Sequence, residues 1–338
     1  MTDAIAHRGP DGEGFWNNKK NTVHLGHRRL SVIDLSSHAA QPMSFANRYQ
    51  VVYNGEIYNY IEIRSFLQNK GYHFTTQSDT EVIVAAYDFW KEKCLQQFDG
   101  MFAFAIWDEK EERLFAARDR FGEKPFYYYE DEGNFIFASE MKALWAIGID
   151  KKVNNKMLLN YITLGHVQNC IDKEQTFFDD IYSLPPAHYL SYQPATNQLS
   201  KITRYWSLNK ELKIDIAAAD AIEKFTELFN ASVKKRLRSD VPVGTCLSGG
   251  LDSSAIAYTI AQLQKRTGND TTKKLQTFSA VFPGFENDES KYIQAVTGSL
   301  DINNFQAEPS ATDLINDFEK LCYHQEEPFQ SSGIFAQY

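Results

Sequence analysis

One run of seven residues restricts this chain more than any other: Ser248-Gly249-Gly250-Leu251-Asp252-Ser253-Ser254. An apolar stretch, Val241 to Leu247, precedes it, and a segment with helical periodicity runs from about Ser253 to Arg266. A loop between a strand and a helix N-terminus collects backbone N–H groups and the positive end of the helix dipole. Two adjacent glycines let that backbone approach an anion with no Cβ in the way. Serine hydroxyls can donate to phosphate oxygens, and Asp252 can hold Mg²⁺ beside them. The bare Ser-Gly-Gly would serve equally well as a helix-capping turn; the full run between strand and helix favours an anion cradle. It is neither a Walker A loop nor a dinucleotide GxGxxG loop.

The surroundings of that loop predict a parallel sheet with flanking helices. A helix is expected over Ala221 to Leu237, and a second strand, Leu275 to Phe282, leads into another helix. Strands alternating with helices in this way form α/β layers. The phrase EEPFQSSGIFAQY at 326–338 reads as a helix start.

Residues 1 to about 200 have a different style. Val23 to Ile33 is strand-like, and Gln50 to Tyr53 is a short strand running into Asn54-Gly55, a pair typical of hairpin turns. Asn59 to Lys70 reads as a helix, with Asn59 and Glu62 as a capping box and Gly71 at the C-terminal end. Ser78 and Glu81 open a second helix, expected to run to Phe98. MFAFAIWD, RLFAARD, PFYYY and NFIFASE then read as successive strands separated by acidic and glycine punctuation. Asn209 to Asp220 reads as a linker. Two domains are therefore expected, at 1–205 and 215–338. The aromatics between Tyr189 and Trp206 are expected mainly in the core, with a domain contact as the alternative.

A net charge of −9 argues against a nucleic-acid binder. No apolar run approaches the roughly 20 residues that span a bilayer, and the N-terminus carries no signal pattern. A cytoplasmic protein with no membrane partner is expected. Cys94, Cys170, Cys246 and Cys322 form no CxxC pair, so neither zinc nor a disulfide framework is expected, and Cys246 is expected in the core.

Six phrases are individually weak. They are HRGPDG (7–12), LGHRRLSVID (25–34), NGEIYN (54–59), SDTEV (78–82), DGMFAFAIWD (99–108) and RDRFGEKPFYY (118–128). Together and in this order they resemble the class II glutamine amidotransferases. SGGLDSS is similar to the pyrophosphate loop of the N-type ATP pyrophosphatases, and the whole set resembles glutamine-hydrolysing asparagine synthetase. That resemblance implies an α+β N-terminal nucleophile glutaminase domain, an αββα sandwich. An incomplete α/β parallel-sheet domain of the adenine nucleotide α-hydrolase type would follow it.

The resemblance also implies residue roles. Arg29 would pair with the glutamine α-carboxylate, Asp79 would hold its α-ammonium, and Glu56 would support the same pocket. The Asn54 side chain and the Gly55 N–H would form an oxyanion hole. Cys246, Leu247, Ser248, Gly249, Gly250, Asp252, Ser253, Ser254 and Ala280 would line the ATP site, with Asp252 on Mg²⁺. Pro283 to Ser290 resembles the loop after the second strand. Glu327-Pro328 and Ser331-Ser332 resemble a block near nucleotide and aspartate. Glutamine, aspartate and ATP are the implied substrates, joined through β-aspartyl-AMP, and a homodimer is compatible with the intact protein.

The family's nucleophilic cysteine, followed by Gly-Ile, would precede His7, and a second Gly/Asp/Glu-rich loop would follow Tyr338. Neither lies within these 338 residues. The polypeptide therefore reads as truncated at both ends and is expected not to hydrolyse glutamine; Thr2 stands in a context unsuited to replace the cysteine. Two alternatives stay open: an amide-forming enzyme of the β-lactam synthetase kind, and a non-catalytic fragment that binds glutamine or nucleotide.

Overall fold

A computed structural model describes residues 1–267, 274–286, 288–331 and 333–338. The chain divides into two compact units. The first comprises Met1–Glu211 with Glu326–Gln330, and the second comprises Leu212–Gln325 with Ser331–Tyr338.

In the first unit, β1 (Gly12–Asn17) and β2 (His24–Arg29) pair antiparallel. Then come β3 (Met43–Phe45), β4 (Tyr49–Ile57), α1 (Tyr60–Gln68), α2 (Asp79–Trp90), β5 (Gly100–Asp108) and β6 (Arg113–Arg118). β7 (Tyr127–Glu130), β8 (Phe135–Ala138), α3 (Met141–Trp145), α4 (Asn155–Leu164) and β9 (Tyr182–Ser183) follow. β10 (His188–Gln193), β11 (Gln198–Leu199) and β12 (Thr203–Arg204) complete the unit. The larger sheet has the order β11-β10-β6-β5-β4-β3, with β12 beside β10, and a smaller sheet has the order β8-β7-β9.

Side-chain alternation stacks these layers. From β5, Phe102, Phe104 and Ile106 pack with Val82, Ala86 and Leu67 of the two helices. The intervening Ala103, Ala105 and Trp107 face Phe126, Tyr128 and Leu184 on the other side. The small sheet repeats the pattern. Tyr128, Phe135 and Phe137 meet the large sheet, while Tyr127, Ile136 and Ala138 pack with Met141 and Leu144 of α3. A strand buried on both faces reads as a continuous apolar run, which is why FAFAIW is so legible. Tyr192 is buried in the core of this unit, and the half-buried Tyr189 and Tyr205 pack against it.

Several local expectations are corrected. Asn54-Gly55 is no turn: β4 runs through it to Ile57, with Asn54 opposite Ala103 and Gly55 opposite Phe102. The strand expected over Val23 to Ile33 is confined to His24–Arg29. Asn59 does not cap α1; its side chain bonds Gln97 O at 2.9 Å and Asp99 N at 2.9 Å instead. Ser78 does cap α2, accepting from Thr80 N at 3.1 Å. Glu81, however, turns to the backbone N–H groups of Thr75 and Thr76 rather than back to Ser78. α2 stops at Trp90, where Lys91 adopts φ 51°, and a 3-10 segment over Lys91–Gln96 follows.

In the second unit, α5 (Ala218–Arg236), β13 (Gly244–Cys246), α6 (Leu251–Thr267), β14 (Leu275–Ala280) and α7 (Ser290–Ser299) appear in order. β15 (Ile302–Ala307), α8 (Ala311–Gln325) and α9 (Gly333–Gln337) follow. The three strands form a parallel sheet, β13-β14-β15. Val233, Leu247, Ala257, Ile260, Leu275 and Ile293 make its core. The first strand is shorter than Val241 to Leu247, and Cys246 is exposed rather than core; the buried neighbour is Leu247. All four cysteines are free. Asn287, inside the Pro283 to Ser290 loop, and Ser332 lie outside the described residues. No described helix is long and apolar enough to cross a membrane.

Candidate functional site

In the first unit, Asn54 and Glu56 stand two residues apart on β4 and so project from the same face of the strand. Asn54 Nδ2 and Glu56 Oε2 are both shut off from solvent, and neither has a hydrogen-bond partner among the described residues. Buried polar atoms are nearly always paired, so an unpaired donor beside an unpaired acceptor marks a place for a ligand. Gly55 lies between them at φ 153°. A Cβ there would fall 2.1 Å from Met101 O, so only glycine allows β4 to lie against β5 at this point.

Asp79 opens α2 and is almost fully buried. Its Oδ2 accepts from the Tyr53 hydroxyl at 2.9 Å and from Ile57 N at 2.9 Å, which ties the helix start to the end of β4. Burial holds the Asp79 carboxyl above its ordinary range, although these hydrogen bonds favour the ionised form. Burial, and then the negative charge of Asp79, push Glu56 up to about 8, while Lys124 works in the opposite direction. Two carboxylates forced together out of water cannot both ionise freely.

Arg29 ends β2 and sends its two terminal nitrogens to the carbonyls of Ser36, at 2.7 Å, and Asp34. The Asp34 carboxylate accepts in turn from Gln77 N at 2.8 Å, two residues before Asp79. Arg29 and Asp79 thus belong to one end of the unit. The guanidinium is already engaged with its own loop, so a ligand carboxylate would use its remaining N–H hydrogens.

Three contributors escape a reading of the sequence. His27 Nε2 donates to Tyr53 O at 3.1 Å, binding β2 to β4. Burial pushes its pKa down to about 4, so the ring is neutral. Lys124 faces Glu56, and Arg8 lies near Lys124; burial, then Arg8, lower the lysine's pKa. The loop carrying Lys124 is folded by Asp119, whose carboxylate accepts from Phe121 N at 3.0 Å, Glu123 N at 3.0 Å and Lys124 N at 2.9 Å. The RDRFGEKP phrase contained this information, but only as an unassigned block.

In the second unit, Ser248 to Gly250 form the turn between β13 and α6. Gly249 has φ 82°, and a Cβ there would come 2.7 Å from Tyr292 Cβ. Ser253 Oγ lies 3.1 Å from Ser248 Oγ and donates to Gly250 O at 3.2 Å. Ser254 Oγ is buried with no partner among the described residues. Leu247 is pinned by Ser279 Oγ at 2.6 Å, and Ala280 ends the neighbouring strand β14. Asp252 is exposed in the first turn of α6. Mg²⁺ is held by one or two carboxylates and completes its shell with phosphate and water, a set to which Asp252 would contribute its carboxylate. A cavity of about 730 Å³ opens beside Asp252, with Phe225, Phe229 and Ile256 among its walls.

Glu327 belongs to the first unit, where Phe177 N donates to its Oε1 at 3.2 Å. Its neighbour Glu326 accepts from Met141 N at 2.8 Å and Lys142 N at 2.6 Å, and pairs with Lys142 Nζ at 2.9 Å.

The family model of the glutamine amidotransferase domain matches residues 1–206, and that of asparagine synthase matches residues 224–338. Glutamine-hydrolysing asparagine synthetase 3 of Bacillus subtilis is 35% identical, across 97% of this chain and 54% of its own length. A putative glutamine-hydrolysing asparagine synthetase of Methanocaldococcus jannaschii is 34% identical, across 100% of this chain and 66% of its own. An amidase of Gibberella zeae is 33% identical, across 96% of this chain and 49% of its own. The chain spans between about half and two thirds of these curated relatives. Both halves are matched in order, and the chain belongs to the glutamine-hydrolysing asparagine synthetase family.

Proposed function

We propose that this chain carries the glutamine-recognition pocket and the ATP-binding loop of an asparagine-forming ligase. The stacked layers of the first unit support reading it as an N-terminal nucleophile αββα sandwich. The parallel sheet of the second supports an adenine nucleotide α-hydrolase type. The observation that carries the reading is the pair of unsatisfied buried atoms, Asn54 Nδ2 and Glu56 Oε2, beside buried Asp79.

In this reading Asp79 and Glu56 receive the α-ammonium of glutamine, and Arg29 receives its α-carboxylate. The Asn54 amide and Gly55 N–H face the side-chain carbonyl, where charge accumulates in a tetrahedral state. Ser248, Gly249, Gly250, Ser253 and Ser254 hold the ATP phosphates, with Mg²⁺ shared between Asp252 and phosphate oxygens. Aspartate is activated as β-aspartyl-AMP, and ammonia displaces AMP to give asparagine.

These 338 residues bind glutamine without hydrolysing it. Cys94 is fully buried in the core with its thiol pKa pushed up by burial. Cys170 lies in the loop after α4, and Cys246 and Cys322 belong to the second unit. Titration calorimetry is the test: glutamine and ATP-Mg²⁺ each give saturable heat, and no glutamate accumulates on incubation with glutamine. Absence of both heats from the folded chain rejects the reading. Incubation with ATP, aspartate and ammonia addresses the second half; formation of AMP with other carboxylic acids but not aspartate would favour an amide-forming activity on another acid.

A further inference from the structure

We propose that a proton held between Glu56 and Asp79 fills the place of the ligand's α-ammonium in the empty pocket, and that glutamine binding expels it. The inference rests on the glutamine reading above and adds to it a proton that must be accounted for.

The geometry sets up the exchange. Asp79 Oδ2 is saturated by two donors, the Tyr53 hydroxyl and Ile57 N. Glu56 is one residue before Ile57 and has a buried oxygen with no donor among the described residues. A second buried acceptor next to a carboxylate is costly when both are ionised and nothing positive lies between them. In the empty site a proton is the smallest available cation. The neighbouring Asn54 Nδ2, also unpaired, gives independent reason to expect a ligand at this spot.

The charged and titratable groups around the pair are few. Tyr53 donates to Asp79, and its own ionisation is strongly opposed by burial and by both carboxylates. Tyr58 lies near Tyr53. Lys124 faces Glu56 from the loop after β6, with Arg8 near it. Arg64 of α1 feels Asp79 but sends its terminal nitrogens to Thr76 O and Ser78 O. His27 is neutral and bonded to Tyr53 O. Lys124 offsets Glu56 only in part, and burial with the charge of Asp79 leaves Glu56 well above a normal carboxyl.

The balance is simple. Glutamine enters as a zwitterion, its ammonium takes the site, Glu56 gives up its proton to solvent, and the pair becomes two carboxylates sharing one ammonium. No bond other than O–H is broken. Below the titration of the pair the affinity should fall as pH falls, by up to about tenfold per unit.

The test is titration calorimetry of the whole chain with glutamine near pH 7, repeated in buffers of different ionisation enthalpy. The slope of observed heat against buffer enthalpy counts protons. We expect release of about one proton per glutamine, fading as pH rises past the pair's titration. The same measurement with 4-carbamoylbutanoate, which lacks the α-amine, should release none. Glu56→Gln should abolish the release, with folding checked by near-ultraviolet circular dichroism. Glutamine binding with a zero slope in the unmodified chain overturns the proposal and leaves the glutamine reading intact. Undiminished release in E56Q overturns it too, by placing the proton elsewhere. No binding in any buffer removes both.

Discussion

The Tyr53 hydroxyl and the Asp79 carboxylate meet at 2.9 Å inside the first unit, and this contact joins the strand carrying Asn54 and Glu56 to the helix that Asp79 begins. Asp79 is therefore a fastener as well as a proposed ligand group. Asp79→Ala leaves the Tyr53 hydroxyl and Ile57 N buried without an acceptor, a cost of about 2–4 kcal/mol. Asp79→Asn keeps an acceptor oxygen but removes the charge. It should remain within about 1 kcal/mol of the parent in urea denaturation while glutamine affinity falls at least about tenfold. Unchanged affinity in D79N would remove Asp79 from the pocket.

Gly55→Ala tests whether the pocket and the sheet share one constraint. The added methyl would sit 2.1 Å from Met101 O and 2.8 Å from Phe102 Cα, backbone atoms that cannot swing away. We expect a loss of at least about 3 kcal/mol, or failure to fold, read from the denaturation midpoint and soluble yield. A midpoint equal to the parent's would mean that β4 and β5 do not pair here as described.

Ser254→Ala should separate stability from function in the second unit. Its hydroxyl is buried without a partner among the described residues, so its removal deletes an unsatisfied polar group. The variant should be as stable as the parent or up to about 1–2 kcal/mol more stable, while ATP-Mg²⁺ affinity drops several-fold. Loss of stability with unchanged nucleotide affinity would show a purely structural serine.

Much of this architecture was readable because it is local. The apolar run of β5, the strand–loop–helix around Ser248 and the capping serine at position 78 announce themselves in consecutive residues. The failures at the site are mostly non-local. Asn54-Gly55 has the chemistry of a turn, but pairing with Ala103 and Phe102 keeps it in the strand. Asn59 has the chemistry of a cap, but the backbone near position 98 claims its side chain. Lys124 comes to Glu56 only because Asp119 folds the loop between them, and no spacing predicts the return of Glu326 to Lys142. For the pocket, resemblance grouped Arg29, Glu56 and Asp79 where composition could not.

The returning segment supplies a pH dependence whose sign can be worked out. Glu327 is half-buried in the first unit; desolvation first, and then the charge of Glu326, push its pKa up to about 7, against the Phe177 N–H that favours ionisation. A carboxyl whose folded pKa lies above its unfolded value binds its proton more tightly when folded. Its stabilising contribution is complete below the unfolded pKa of about 4.5 and is lost as pH rises through about 7. Glu327→Gln keeps the shape and removes the titration. Urea denaturation between pH 4.5 and 8 should therefore show E327Q gaining on the parent as pH rises, by about 2–3 kcal/mol at the upper end. Parallel stability curves for the two proteins across that window would mean that Glu327 titrates alike folded and unfolded, and that the segment is not packed as described.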